Sequence, residues 1–329
     1  MSRFLTVILT AVLALISANA SALDKLTVPL SDGLHYFPVY VARGDKSYFA
    51  KEGIEPDWVN LAAGPKQIAA LVGGSADVLA ISLIQAIKAR AEGAQIVVLG
   101  STFDVYGVKL ALSNEALAKT GITPDMPIDE KVKRMQGLKL GMSSSGSSTD
   151  VFIRSLFLAR GYDPDKVVNL MPLGNGVSLL AAFEKKLIDG LAWPAPIPEI
   201  IEHRGLGKTV VDPFKGEVPE LSNVPYLVLA TSRDTLDKKP DLIKRAMRAL
   251  TAAMEFSNDQ PEESCKIVRR SFPDVDETVF KAACETYRKA TPRKLVFTKE
   301  HLDKTLTWMN LGAKNPVSVK YEDFLGKTQ

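Results

Sequence analysis

Two twelve-residue segments of this chain, AALVGGSADVLA (69–80) and AAFEKKLIDGLA (181–192), align without a gap at a constant offset of 112. Ala69, Ala70, Asp77, Leu79 and Ala80 recur as Ala181, Ala182, Asp189, Leu191 and Ala192. Five identities in twelve could arise by chance, but the matching order of their surroundings argues for an internal repeat. In the first unit the strand-like KLTVPL leads into SDGLHY, a helical stretch closes at KEGIEP, and DWVNL leads into AAGPKQIAALVGG. In the second, KLGM leads into SSSGSS, a helical stretch closes at ARGYDP, and VVNLMPL leads into GNGVSLLAAFEKK. Each unit then offers a third strand (ADVLAIS, IDGLAWP), another helix and a closing apolar run (QIVVLG, GKTVVD). Strands and helices alternating through short loops specify a doubly wound α/β sheet in each unit, hence two related lobes.

The remaining segments join the lobes. The strand-like VYGVKLALS precedes a polar, helix-poor stretch at 113–131, and after the second unit NVPYLVLATSRDTL reads as a strand followed by four helical segments. Those late helices have no third sheet to cover, so the chain is expected to return to the first lobe. The division expected is a leader at 1–22, the first part of lobe 1 at 23–105, lobe 2 at 106–224, and the return to lobe 1 with the C-terminal helices at 225–329. Two crossover segments then form a hinge.

The first 22 residues carry Arg3, an apolar stretch from Phe4 to Ile16 and then small residues. This is the pattern of a secretory signal peptide, with cleavage expected after Ala20 or Ala22 and a periplasmic destination. The apolar stretch is short of the ~20 residues that span a bilayer. Cleavage after Ala22 leaves 329 − 22 = 307 residues, beyond the size at which one core usually divides. Without Arg3, 40 basic side chains face 38 acidic ones, a balance that gives no indication of nucleic-acid binding.

Cys265 and Cys284 lie in helical-looking segments on either side of the turn-like PDVDE, in a chain bound for an oxidising compartment. A disulfide across a helix hairpin and a pair of buried thiols are both open readings. The three histidines, His35, His203 and His301, are scattered without ligand spacing, so no metal site is expected.

The stretch GMSSSGSSTDVF (141–152) packs five serines, a threonine and two glycines between a short strand-like run and a helical one. Free amides at a helix start carry partial positive charge, and hydroxyls there add donors without blocking approach. The turn can cradle an anion, or Ser147 to Thr149 can simply cap the helix. In open α/β sheets ligands bind beyond the carboxyl ends of the strands. Two facing lobes, each with three such loops, would enclose a small molecule.

At FPVYVARGDKSYFAKEGIEPDWVNLAAGPKQIAALVGGSADVLAIS (37–82), GLKLGMSSSGSSTD (137–150) and LGNGVSLLAAFEKKLIDGLAWP (173–194) the sequence resembles the periplasmic solute-binding proteins of ABC importers, in the nitrate, sulfonate, taurine and thiamine-precursor branch. The resemblance covers almost the whole mature chain and implies the type II periplasmic binding protein fold. It also implies first-lobe contacts at Asp32, Gly33, His35, Tyr36, Gly64, Pro65 and Ser82. Second-lobe contacts would be Ser144, Ser145, Gly146, Ser147, Ser148, Thr149, Asn175, Trp193 and Pro194. Trp193 at a strand's carboxyl end offers a flat face to an organic ligand. Lys66, in the first turn of a helix, opposes the dipole unless an anion lies nearby, or else points to solvent.

The function expected is capture of a small anionic organic compound (sulfonate, carboxylate or nitrate-like) by hinge closure, and delivery to an ABC permease. The protein is expected to be a monomer, to use no cofactor, and not to be an enzyme. The alternatives are an enzyme of the same fold acting on a thiamine-type pyrimidine or a menaquinone precursor, and a periplasmic ligand sensor. Against an enzyme, GMSSS lacks the G-x-S-x-G pattern, no G-x-x-x-x-G-K-[ST] loop occurs, and the cysteine-rich motif of the pyrimidine synthases is missing. The sensor alternative shares every sequence feature with the importer.

Overall fold

The computed structural model describes residues 22–61, 64–313 and 315–326. Apart from Ala22, the expected leader lies outside the described residues. Lobe 1 begins with β1 (Asp24–Leu30), followed by α1 (Phe37–Gly44), β2 (Ile54–Asn60), α2 (Gly64–Val72), β3 (Leu79–Ser82), α3 (Leu83–Ala91) and β4 (Ile96–Phe103). β1 and β2 pair in parallel from Asp24↔Ile54 to Leu30↔Asn60. All eight residues of β4 are buried, as a strand covered on both faces requires.

Lobe 2 runs through β5 (Lys109–Ser113), β6 (Lys139–Met142), α4 (Ser148–Leu158), β7 (Asn169–Pro172), α5 (Gly176–Glu184), β8 (Gly190–Trp193), α6 (Ile197–His203) and β9 (Gly207–Val211). Its strand order is β7-β6-β8-β5-β9, with β5 antiparallel to both β8 and β9. The chain then returns to lobe 1 as β10 (Leu227–Ser232), which pairs antiparallel with β3 and β4. One antiparallel strand from a crossover is thus inserted in each lobe, but where one sheet per lobe is expected, lobe 1 divides into a two-stranded β1-β2 sheet and a three-stranded β3-β10-β4 sheet, while lobe 2 keeps a single five-stranded one.

The offset of 112 reappears in space. Asp77 donates its backbone N–H to Thr27 O (2.9 Å) and accepts the Thr27 N–H on its carboxylate (2.9 Å), which joins β1 to the edge of β3. Asp189 does the same with Lys139, at 2.8 and 2.7 Å, and joins β6 to β8. In each case the carboxylate takes a backbone N–H just ahead of β3 or β8, beside the bond the aspartate's own backbone donates, and this side-chain bond is why the residue type recurs. The turn before it is also shared: Gly74 (φ 75°) and Lys186 (φ 58°) both take the left-handed conformation.

Alternation along the strands fills the core. Val97 and Leu99 of β4 and Leu110 and Leu112 of β5 join one cluster, whereas Ile96 and Val98 face a second and Ala111 a third. A period of two sends successive side chains to opposite faces, so each sheet has helices on both sides.

Four longer helices complete the chain: α7 (Pro240–Asp259), α8 (Pro261–Arg269), α9 (Glu277–Arg288) and α10 (Lys299–Met309). Helix α7 buries Leu242, Ile243, Ala246, Ala249, Leu250, Ala253 and Met254, a stripe with the helical period. Cys265 of α8 and Cys284 of α9 form a disulfide with their Cα atoms 6.1 Å apart. Helices α9 and α10 also touch lobe 2: Ser155 Oγ of α4 donates to the carbonyl of the buried Trp308 at 3.0 Å.

Candidate functional site

The crossovers, residues 104–108 and 212–226, each place a tyrosine between the lobes. Tyr106 and Tyr226 are 1% and 5% exposed, with ring centroids 5.1 Å apart. The Tyr106 hydroxyl donates to the Ser148 carbonyl at 2.8 Å, and the Tyr226 hydroxyl lies 3.2 Å from Ser148 Oγ. By its backbone Tyr226 belongs to lobe 1, since its N–H donates to Phe103 O (2.8 Å) and its carbonyl accepts from Leu83 N (3.0 Å). Two crossover tyrosines therefore grip the first residue of α4.

Against Tyr226 stands the loop that follows β1. The His35 ring lies 5.3 Å from that of Tyr226 and 4.4 Å from that of Tyr36. It folds back over Gly33, whose φ of 141° and lack of Cβ leave it room; any Cβ there would collide with the imidazole. His35 is buried, and burial pushes its pKa down to about 3, so the ring is neutral. Its Nδ1 has no hydrogen-bond partner, and neither has the buried Ser82 Oγ. Ser82 stands at the N-cap of α3 yet makes no capping bond. Burial raises the pKa of the Tyr36 phenol; hydrogen bonds from Ser31 and Gln67 oppose the shift and Asp32 adds to it.

Opposite, the loop after β8 supplies the second wall. Ala195, next to Pro194, accepts from Leu34 N at 3.1 Å, a direct bond between the lobes, and donates its own N–H to Tyr287 Oη at 2.8 Å. Tyr287 in turn donates to the crossover carbonyl of Gly107 at 2.6 Å. Beneath it Lys109 Nζ reaches Glu199 at 2.8 Å and Asp212 at 3.3 Å, over the rings of Phe214 and Tyr287. Burial alone would lower the Lys109 pKa, but the two carboxylates more than reverse this and the net shift is upward.

The two walls share another feature of the repeat. Gly64 and Gly176, 112 apart, each open a helix with no room for a Cβ, the first against Gln85 and the second 2.6 Å from Trp193 Nε1. Trp193 is half-buried there.

Of the residues expected from sequence, Gly33, His35, Tyr36, Ser82 and Ser148 converge around Tyr226, and Trp193 and Pro194 flank the wall through Ala195. Others have structural duties or face outward. Ser147 Oγ accepts from Asp150 N, Thr149 Oγ1 from Ser143 N, and Asn175 Oδ1 from Ser178 N. Asp32, Lys66, Ser144, Ser145 and Asn175 are exposed. The side chain of Pro65 lies outside what is described. The start of α4 already holds a carboxylate, because Asp150 accepts from Gly146 N at 2.7 Å and pairs with Arg154.

Sequence reasoning missed Tyr106, Tyr226, Tyr287, Lys88 and Asp150. One signal was available for two of them: each crossover carries a tyrosine just before the strand that enters the next lobe, in VYGVKLALS and VPYLVLATS. Among the described residues no cluster of His, Cys, Asp and Glu could hold a metal ion.

The sequence model of the NMT1-like family matches residues 21–270. A structure from Bordetella bronchiseptica RB50 superposes with a TM-score of 0.77 at 21% identity, covering 92% of this chain and 94% of that one. The periplasmic aliphatic sulphonate binding protein SsuA of Escherichia coli gives 0.71 at 17%, covering 92% of each. The periplasmic nitrate-binding protein NrtA of Synechocystis PCC 6803 gives 0.63 at 19%, covering 82% and 70%.

Proposed function

From the premise that this chain belongs to the NMT1-like family, we propose that it is an extracytoplasmic solute-binding protein of an ABC importer. It captures a small organic compound between its lobes and presents it to a permease in the closed form. The observation that carries the reading is the pair of buried atoms without partners, His35 Nδ1 and Ser82 Oγ, at the junction of the lobes. A buried polar group left unpaired costs about 1–3 kcal/mol, and a bound solute that supplies the partners recovers it. Tyr36, Tyr226 and Trp193 offer ring surface to the rest of the molecule. The named neighbours bind a sulphonate and nitrate, which supports a polar head group on the solute. Negative charge at the serine turn has less support, since Asp150 already occupies that helix start.

An enzymatic reading is not favoured. His35 Nδ1, with no partner, activates no hydroxyl or thiol in the manner of a nucleophile–base pair.

Thermal-shift screening of the mature protein against sulfonates, carboxylates and neutral heterocycles tests the proposal. A solute at 100 times its dissociation constant adds about 2.7 kcal/mol of stability. His35→Gln and Ser82→Ala should each weaken the hit at least fivefold. No stabilisation by any class, together with no co-purifying solute by mass spectrometry, would refute the reading.

A further inference from the structure

The serine turn between β6 and α4 makes a second contact with lobe 1, away from the tyrosines. Lys88, on α3, extends its ammonium to the Gly146 carbonyl at 2.7 Å. The fit on the turn is specific. Gly146 has φ 78°, a left-handed conformation that side chains resist, and a Cβ there would lie 3.3 Å from Lys88 Nζ. The glycine within SSSGSS thus both makes the turn and clears space for the cation. The Gly146 N–H donates to Asp150, so one peptide group faces a carboxylate and the next an ammonium.

The lysine is not part of the repeat. At the offset of 112 its counterpart on α6 is Ile200, which packs against the lobe 2 core. Neither is the contact a tight lock. Burial lowers the Lys88 pKa, Asp150 and Glu92 offset part of that, and Arg154 adds to it. The Gly146 carbonyl supplies the remaining compensation, leaving a margin small enough for the ammonium to return to water when the lobes separate.

We propose that Lys88 is a cross-lobe latch: it seats on the Gly146 carbonyl when the cleft closes, biases the free protein toward the closed state, and sets the position of the serine turn in the ligand wall. The proposal rests on the two-lobed fold and is independent of which solute is bound.

The test measures closure without solute. Spin labels on Lys66→Cys and Ser178→Cys, exposed positions 112 apart on the two helix starts, report the distance between lobes; the native cysteines are bonded. Electron-electron double resonance on the solute-free protein should show a short-distance population. Lys88→Met should lower the closed-to-open ratio about tenfold, the scale expected for loss of one charged hydrogen bond. Lys88→Arg, which keeps a long cationic donor, should restore most of it, and thermal unfolding confirms that each variant is folded. A wild type with no short-distance population, a Lys88→Met ratio within twofold of wild type, or no rescue by Lys88→Arg would overturn the latch. None of these outcomes depends on solute binding, so they leave the capture reading to its own test.

Discussion

Acidification should destabilise this protein in large part through His35. His35 is buried against Tyr36 and Tyr226 and its folded-state pKa is pushed down to about 3, whereas an unfolded histidine titrates near 6.5. Between those values the unfolded chain binds a proton that the folded chain refuses, so stability present above pH ~6.5 is lost as pH falls toward 3. From pH 7.5 to 4.5 the His35 contribution to that loss is about 2.7 kcal/mol, a large share of the ~5–15 kcal/mol that holds a typical domain together. Other groups add their own pH dependence, and His35→Gln leaves them in place. Denaturant unfolding followed by circular dichroism at several pH values should therefore give a shallower decline for the variant, by roughly 2–3 kcal/mol over that range. Nuclear magnetic resonance gives an independent reading in the wild type, in which the His35 imidazole should fail to titrate above pH 4.5 while the fold persists. Parallel stability curves together with three titrating imidazoles would refute the picture of a neutral, dry His35.

Lys109→Met should destabilise by about 3–5 kcal/mol, because Glu199 and Asp212 would be left without their cation in a mostly buried site; a change below 1 kcal/mol in chemical denaturation would mean water already reaches that cluster. For the Cys265–Cys284 disulfide, which spans 19 positions, the chain-entropy model gives about 3 kcal/mol. Thiol titration of the denatured, unreduced protein should find no free thiols, and reduction should lower the unfolding midpoint.

How legible the molecule is from sequence depends on the range of the interaction. The strand–helix order of each unit is local, and the alternating and helical periods declare it. The repeat was visible because the Asp77 and Asp189 carboxylates each accept the same strand N–H, a task for which few side chains can substitute. The positions of β5 and β10 were harder to read. Each comes from a crossover and inserts antiparallel into a sheet whose other strands are distant in sequence. Within the candidate site, His35 and Ser148 were expected from the family resemblance, and both stand beside Tyr226. Tyr106 and Tyr226 were missed because an aromatic before an apolar strand is usually a core residue. The serine turn shows the limit most clearly. Its hydroxyls could cap or bind, and only the geometry reveals that Ser147 and Thr149 cap while Ser148 meets the crossover tyrosines.

The match of Asp77–Thr27 with Asp189–Lys139 makes the molecule, in effect, a dimer of like halves fused into one chain. In a true homodimer any change to one wall of the shared cleft is imposed on the other, and only a ligand with matching ends is served equally by both. Fusion removes that constraint. Ser82 can keep an unpaired hydroxyl while its counterpart is Pro194, Gln85 can guard one helix start while Ile197 stands near the other, and Lys88 can cross the gap because Ile200 need not. On the proposed solute-capture reading, positions 112 apart that no longer agree mark where the cleft is lopsided, and an unsymmetrical solute is the guest such a cleft would select.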